Sequence, residues 1–370
     1  MEKDIIFASG KRYIPGGVKE LMIKSAKGVK LFDEDDGEYI DFDLGGGSLI
    51  LGHSNETVVK ALTCALQDDI CLFENSFAEV EISKFLCNNI DYIDMVKVHN
   101  SKTNAIKAAI NMGRTYTKKE KILTFKSNKE KNQSSNYISC NLNDENELLS
   151  IFDKYGKEIA VAIIEPVSIE EGIKCCNEKF LKLLRTLCNR NGTVLIFDEY
   201  ISSFRTSFKG VRGEVDVLPD LVVFGKVLNC GMGGAYLGGK RKIMDRQYED
   251  KQNSINTLSI VVGIAILNRL FAHPEYHQQI ESISKKLEDG LNKLKNKYNG
   301  EFCVRRASGM VQLEIESKLY KKYYYFMLEK GFNVPKSKDK PLFICSEHNI
   351  THVFKFLKAF EEFLINDLVK

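Results

Sequence analysis

Two charged side chains close two apolar runs. In NGTVLIFDEYISSFR, Asn191 to Arg205, the run Val194, Leu195, Ile196, Phe197 stops at Asp198 and Glu199. In LVVFGKVLNCGMGG, Leu221 to Gly234, the run stops at Phe224, and Lys226 follows one glycine later, before a cluster of further glycines. Continuous apolar runs suit parallel strands covered on both faces by helices. In such sheets ligands bind at the carboxyl ends of the strands. Asp198 and Lys226 are therefore expected in one crevice, an acid facing an amine. An isolated lysine past a strand end is ordinarily solvated surface; this company sets Lys226 apart. Tyr200 lies two residues after Asp198, and alternation along a strand puts it on the same face.

A third stretch, VKVHNSKTNAIKAAINMG, is built to receive an anion. The strand Val96 to His99 runs into Asn100, Ser101 and Thr103, and then into a helix rich in alanine and isoleucine. Free N–H groups at a helix start attract anions, and Ser101 and Thr103 add hydroxyl donors. Lys102 is the telling residue, because a cation in the first turn opposes the helix dipole by ~0.3–1 kcal/mol. A phosphate held there turns that penalty into attraction; the plainer reading is an ordinary N-cap with a solvent-facing lysine. The other glycine-rich pieces carry less. Gly234 to Arg241 comes within one residue of a GxxxxGK[ST] phosphate loop, but Arg241 stands where the hydroxyl belongs and the glycines straddle a strand-like AYL. It reads as a turn. No GxGxxG opens a helix after a strand, and Gly45-Gly46-Gly47-Ser48 reads as a flexible loop.

The elements that must position these residues follow from pattern. KLFDEDDGEYIDFDL, with a turn at Asp36-Gly37, predicts a hairpin. Helices are expected near Asn55 to Gln67 and Phe77 to Asn89. Strand and helix then alternate: a strand near Met95 to His99, a helix near Lys102 to Tyr116, a strand at Lys121 to Phe125, a helix near Glu145 to Tyr155, the strand IAVAIIEP ending at Glu165, a helix near Glu178 to Asn191, the two runs above, and a strand at Ala235 to Gly238. Such alternation predicts an α/β fold with a mostly parallel sheet wrapped by helices. From about Leu258 the chain turns helical with a few short strands, which predicts a smaller α+β domain. The expected division is 1–50 as an N-terminal segment packing with the small domain, 51–258 as the large domain, and 259–370 as the small one.

Bulk composition narrows the function. The chain has 370 residues, room for two domains. Its 53 Lys plus Arg stand against 50 Asp plus Glu, net +3, so the lysine-rich stretches read as solvated surface and no nucleic-acid partner is expected. No apolar run approaches the ~20 residues of a membrane span, and MEKDIIFASGKRY lacks the apolar core of a signal peptide. Ten cysteines without a CxxC pair imply reduced thiols in a cytosol. The pairs His273/His277 and His348/His352 have no obvious third ligand nearby, so no metal site is expected.

Together these pieces resemble the class III, fold-type I enzymes that use pyridoxal 5'-phosphate, nearest to the glutamate-semialdehyde aminomutases. The likeness covers nearly the whole chain: YIPGGV, DEDDGEYIDFD followed by LILGH, NSKTNA, IIEPV, LIFDEYISSFR, PDLVVFGKVLNCGMGGAYLGGKRKIM, NTLS and LEDGL. The resemblance implies that Lys226 forms the Schiff base with the cofactor aldehyde and that Asp198 pairs with its pyridine nitrogen. It also implies that Ser101 and Thr103 hold the phosphate, with Thr257 reaching the same phosphate from a second subunit of a homodimer; Lys102, in the same helix turn, is expected close enough to contribute charge or backbone donors. Such a cofactor needs a carboxylate for its ring nitrogen and a lysine to anchor the aldehyde and shuttle a proton.

The chain departs from this family at defined places. SKTNA replaces the usual SGTEA, so Lys102 and Asn104 stand for a glycine and a glutamate. After Phe125 the family carries a turn whose aromatic stacks on the cofactor ring, followed by a mobile loop; here the chain reads KSNKEKNQSSN and is shorter. An arginine for a substrate carboxylate is not evident in GGVKELMIK. Tyr200 is expected to take over part of the lost stacking. The function expected is a cytoplasmic, homodimeric aminotransferase acting on a small amine or amino acid. Decarboxylase or aminomutase chemistry, and a non-catalytic partner protein on the same fold, are the alternatives.

Overall fold

The runs 194–198 and 221–224 emerge as neighbouring parallel strands, in register from Ile196 opposite Leu221 to Asp198 opposite Val223. The computed structural model of the protein describes residues 2–17, 21–67, 76–126, 135–169, 172–205, 207–210, 215–245 and 256–367. It divides into two units, Thr57–Gln278 and Met1–Glu56 with Gln279–Lys370.

The first unit holds a seven-stranded sheet: β1 Met95–His99, β2 Lys121–Lys126, β3 Tyr137–Asn141, β4 Ile159–Ile164, β5 Val194–Asp198, β6 Leu221–Phe224 and β7 Ala235–Gly239. The spatial order is β1-β7-β6-β5-β4-β2-β3. Every neighbouring pair is parallel except those of β7, which runs antiparallel to both β6 and β1. A parallel partner needs a crossover of a dozen or more residues. Only the turn 225–234 separates β6 from β7, so the chain doubles back. The glycines that imitate a phosphate loop are part of this arrangement, since Gly238 and Gly239 lie within β7.

Helices α1 Phe77–Asn89, α2 Lys102–Thr117, α3 Glu145–Tyr155, α4 Glu178–Asn191 and α5 Thr257–Ala272 belong to the same unit. The small residues of α2 let it lie close to the sheet: Ala105, Ala108, Ala109, Met112 and Gly113 are buried. They share a core with Val161, Val194, Ile196, Val223 and Leu237. A Cβ on Gly113 would come within 2.2 Å of Val161 Cγ1, so only glycine permits this approach. The alternate residues Leu123, Ala162, Leu195, Phe197 and Val222 face the other way and are equally buried. Phe180 of α4 meets Phe125 of β2 edge-on at 5.6 Å on that side. Both faces of the sheet are thus covered, which is why its central strands β4, β5 and β6 read as unbroken apolar runs.

The second unit contains a four-stranded sheet of Ile23–Lys27, Lys30–Asp33, Glu38–Asp41 and Phe332–Asn333, and a three-stranded one of Cys303–Ala307, Met310–Glu314 and Leu342–Phe343. The hairpin forms at Asp36, whose φ is +62°, with the Asp33 carboxylate accepting the N–H groups of Asp35 and Gly37. Asp41 is 2 % exposed and gathers His53 Nε2 at 2.7 Å, Asn333 Nδ2 at 2.8 Å and the N–H groups of Asp43 and Leu44. Burial works against its charge, but these four partners outweigh burial and hold the carboxyl below its ordinary range.

Three expectations need correction. The boundary drawn at residue 258 falls one helix later, at Gln278, because α5 packs with α1 and the sheet: Gly263 lies so near the sheet that a Cβ would sit 2.8 Å from the Tyr236 hydroxyl. The glycine run expected to be a flexible loop is a fixed turn. Asp43 caps Gly46 N–H at 2.9 Å, and a Cβ on Gly47, where φ is +84°, would strike the Phe343 ring. The strands Tyr137–Asn141 and Ile23–Lys27 and the helix Glu2–Tyr13 have no counterpart in the sequence reading. The stretch KSNKEKNQSSN, where the family's stacking turn is expected, lies for the most part outside the described residues.

Candidate active site

Three parallel strands of the large sheet deliver acidic or basic residues at or just past their carboxyl ends. Asp198 is the last residue of β5, Glu165 follows β4, and Lys226 stands two residues past β6. The loop after β1 leads through Asn100 and Ser101 into α2, so the start of that helix opens beside them.

Lys226 is partly buried in a turn braced on several sides. Its N–H donates to the Tyr200 carbonyl at 3.0 Å, which ties the end of β6 to the end of β5. Asn229 N–H donates to the Gly225 carbonyl at 2.8 Å. The Asn229 amide donates to the Gly234 carbonyl, and its oxygen accepts the Ser259 hydroxyl at 2.9 Å. Ser259 belongs to the first turn of α5, which Thr257 opens and whose Asn256 cap accepts Ser259 N–H at 3.2 Å. The backbone that carries Lys226 is therefore fixed at the end of the strand.

Ser101 caps α2, with extended backbone and its Oγ accepting the Asn104 N–H at 3.2 Å. The hydroxyl proton of Ser101 remains available to donate. Asn104 donates from its amide to Asn100 Oδ1 at 2.6 Å, and Thr103 is exposed in the first turn.

Lys102 does not point to solvent. Its Nζ lies 2.8 Å from Asp198 Oδ2 and 2.8 Å from Glu165 Oε1. Asp198 is 7 % exposed, and its second oxygen, Oδ1, accepts the Tyr200 N–H at 3.2 Å. Burial pushes the Asp198 carboxyl up to about 6, ahead of the opposing pull of the Lys102 ammonium, and the negative charge of Glu165 pushes it the same way. Burial also penalises the Lys102 charge, but two carboxylates more than offset that cost and hold it above the ordinary lysine range. Acidification through about pH 6 therefore neutralises Asp198, while Lys102 keeps its charge.

Tyr200 packs against the core beneath α2. A Cβ on Gly225 would lie 3.0 Å from its Cε2, so the glycine before Lys226 makes room for the tyrosine ring. The Tyr200 hydroxyl donates to the Gly234 carbonyl at 3.3 Å, and Lys102 Nζ stands 5.7 Å from the ring centroid. Of the residues singled out in sequence, the structure links Lys102, Asp198 and Tyr200 side by side, joins Lys226 to Tyr200 through the backbone, and seats Ser101 and Thr103 in the helix turn that carries Lys102. Glu165 was missed. Its signal was available: like Asp198, it is an acid that abruptly ends an apolar strand.

A seven-stranded sheet in this order, with an acid, a lysine and a helix start at its carboxyl edge, is the large domain of a fold-type I pyridoxal-phosphate enzyme. The family model for class III aminotransferases matches residues 13–129 and 127–360, and the chain belongs to that family. It is 34 % identical over 421 aligned positions to a glutamate-1-semialdehyde 2,1-aminomutase of Clostridium botulinum, covering 98 % of this chain and 99 % of that one. A protein of the same name from Clostridium perfringens is 33 % identical, with 97 % and 98 % covered. Among solved structures, a transaminase with pyridoxal phosphate bound superposes with a TM-score of 0.88 at 21 % identity, covering 99 % of this chain and 97 % of that one. A glutamate-1-semialdehyde aminomutase from Pseudomonas aeruginosa in complex with PMP gives 0.86 at 17 %, covering 99 % and 95 %. The enzyme is pyridoxal-phosphate dependent.

The residues present fit that cofactor. Its aldehyde calls for an amine, its ring nitrogen for a buried carboxylate, and its phosphate for N–H and O–H donors at a helix start. Lys226, Asp198 and the Ser101 turn have that chemistry. No single helix among the described residues is long and apolar enough to cross a membrane.

Proposed function

We propose that this protein transfers the amino group of a small amine or amino acid to a separate carbonyl acceptor, with Lys226 as the covalent anchor and Asp198 as the partner of the ring nitrogen. Pyridoxal phosphate, when bound, supplies an aldehyde that condenses with amines and a ring that accepts the electron pair left by bond breakage. The chain's residues do the rest. Asp198, buried and ionised, favours the protonated ring nitrogen. The Lys226 amine would serve as base and acid at the carbon bearing the amino group. Ser101, Thr103 and the N–H groups of their helix turn hold the phosphate. The observation that carries this reading is the 3.0 Å bond from Lys226 N–H to the Tyr200 carbonyl, which pins the lysine beside the strand that ends in Asp198. In the proposed homodimer, Thr257 of a second copy completes the phosphate site, so dilution to monomer is expected to loosen the cofactor.

A second reading, return of the amino group to the neighbouring carbon of the same molecule, is favoured by the full-length likeness to proteins named aminomutases. Against it stand the shortened stretch after Phe125 and the change at Lys102 and Asn104, since an intermediate must be retained for its amino group to be returned. Borohydride treatment followed by peptide mapping tests the anchor: the cofactor label is expected on Lys226, and a label on another lysine overturns the assignment. Rates with a panel of amine donors and keto-acid acceptors, set against conversion of glutamate semialdehyde, decide between the readings. A mutase rate above every transamination rate favours the second.

A further inference from the structure

Asp198 has two oxygens, and the fold has assigned both. Oδ1 is fixed by the Tyr200 N–H at 3.2 Å, and Oδ2 is held by the Lys102 ammonium at 2.8 Å. Each carboxylate oxygen can accept more than one hydrogen bond, and a further cation that pairs with Asp198 through Oδ2 must share that oxygen with Lys102 or take it. The ammonium has somewhere to go, because Glu165 Oε1 already holds it at the same distance, 2.8 Å. Three elements supply the three groups: the first residue of α2, the last of β5 and the first after β4. Two carboxylates share one ammonium, so the cluster carries one surplus negative charge. A single incoming cation neutralises it.

We propose that Lys102 is a displaceable counter-ion of Asp198: it occupies Oδ2 until a protonated ring nitrogen arrives, then moves its charge onto Glu165. Lys102 and Glu165 together set how tightly Asp198 takes the cofactor. Lys102 is in this sense a positioning residue that acts through Asp198. The inference rests on the reading of Asp198 as partner of the ring nitrogen. It makes Lys102 a competitor for that partner and Glu165 the alternative seat that keeps the competition weak. Hydrogen bonds between charged groups are the strong ones, so giving one up has a measurable cost.

The test is pyridoxal phosphate affinity at pH 8, by equilibrium dialysis against protein stripped of cofactor, alongside the thermal midpoint of the stripped protein. Lys102→Ala is expected to bind about tenfold more tightly, equivalent to about 1.4 kcal/mol. The stripped variant is expected to melt lower, because two buried carboxylates have lost their shared cation. A merely structural role would loosen binding and lower the midpoint together. Glu165→Gln removes the alternative seat and is expected to weaken binding several-fold in the parent but far less in Lys102→Ala. Unchanged or weaker binding by Lys102→Ala overturns the proposal, as does an equal effect of Glu165→Gln in both backgrounds. Asp198→Asn is the control for the underlying reading. If it binds as tightly as the parent, the ring-nitrogen assignment fails; if it loosens binding while Lys102→Ala does not tighten it, only the counter-ion proposal fails.

Discussion

Replacing Gly113 with alanine should destabilise the protein, against the helix preference of the two residues. In the middle of α2, alanine is favoured over glycine by about 1 kcal/mol. The added Cβ, however, would sit 2.2 Å from Val161 Cγ1, with Val194 Cβ next at 3.6 Å. Val161 is fully buried in the strand β4. It has no open space to swing into, so α2 must lift or the strand must yield, and overpacking of this kind costs roughly 1–3 kcal/mol. Set against the propensity gain, the clash leaves an expected net loss of up to about 2 kcal/mol. Urea denaturation reads this as a lower midpoint with unchanged slope. The same lifting would move the first turn of α2, so cofactor affinity should fall as well. A double-mutant cycle isolates the contact. In a Val161→Ala background the colliding methyl is gone, and Gly113→Ala should become neutral or stabilising. If Gly113→Ala stabilises the parent, or costs the same in both backgrounds, the close approach does not constrain the helix.

Acid should act through Asp41. Its folded carboxyl is held below the ordinary value of about 3.9, so the folded state binds fewer protons there than the unfolded chain. The stability this supplies is complete above that ordinary value and is lost as pH falls through the folded one. Asp41→Asn should lower the urea midpoint at pH 7, and the gap to the parent should narrow by pH 3; a gap independent of pH refutes the linkage. Tyr200→Val should loosen pyridoxal phosphate several-fold by removing a ring that packs over Gly225. Tyr200→Phe should change stability by no more than about 1 kcal/mol, since the bond to Gly234 is long at 3.3 Å. Equal affinity in parent and Tyr200→Val, measured by dialysis, would mean the ring does not meet the cofactor.

The elements that sequence reveals here are those whose burial is one-sided in period or complete. The strands Val194–Asp198 and Leu221–Phe224 are buried at every residue, so hydrophobicity alone marks them. The helix Glu178–Asn191 announces itself through an Asn177 cap and buried leucines at helical spacing. Tyr137–Asn141 escapes notice because it is a sheet edge, its side chains half-exposed and mixed in character. The boundary near Leu258 was misplaced for a similar reason. An apolar helix after a sheet reads the same whether it packs on that sheet or begins a new unit, and contacts such as those of Gly263 with Tyr236 and of Ser259 with Asn229 distinguish the two. Within the site, the strand-end positions of Asp198 and Lys226 followed from pattern. What Lys102 touches did not, because residues 102, 165 and 198 are brought together only by strand order.

The case of Lys102 shows what a local energetic anomaly can specify. A cation in the first turn of a helix stands against the dipole by ~0.3–1 kcal/mol, and that cost demands a nearby anion. Sequence offers a phosphate as the natural candidate. The fold supplies two anions of its own, Asp198 Oδ2 and Glu165 Oε1, each 2.8 Å from the ammonium. A single buried acid would have been matched by this one lysine and closed to further cations. A second acid leaves the three groups with one negative charge in excess beside Oδ2, the oxygen for which Lys102 and a ring nitrogen would compete. The glutamate that ends β4 therefore gives the lysine after Ser101 a second partner, and it leaves Asp198 open to exchange.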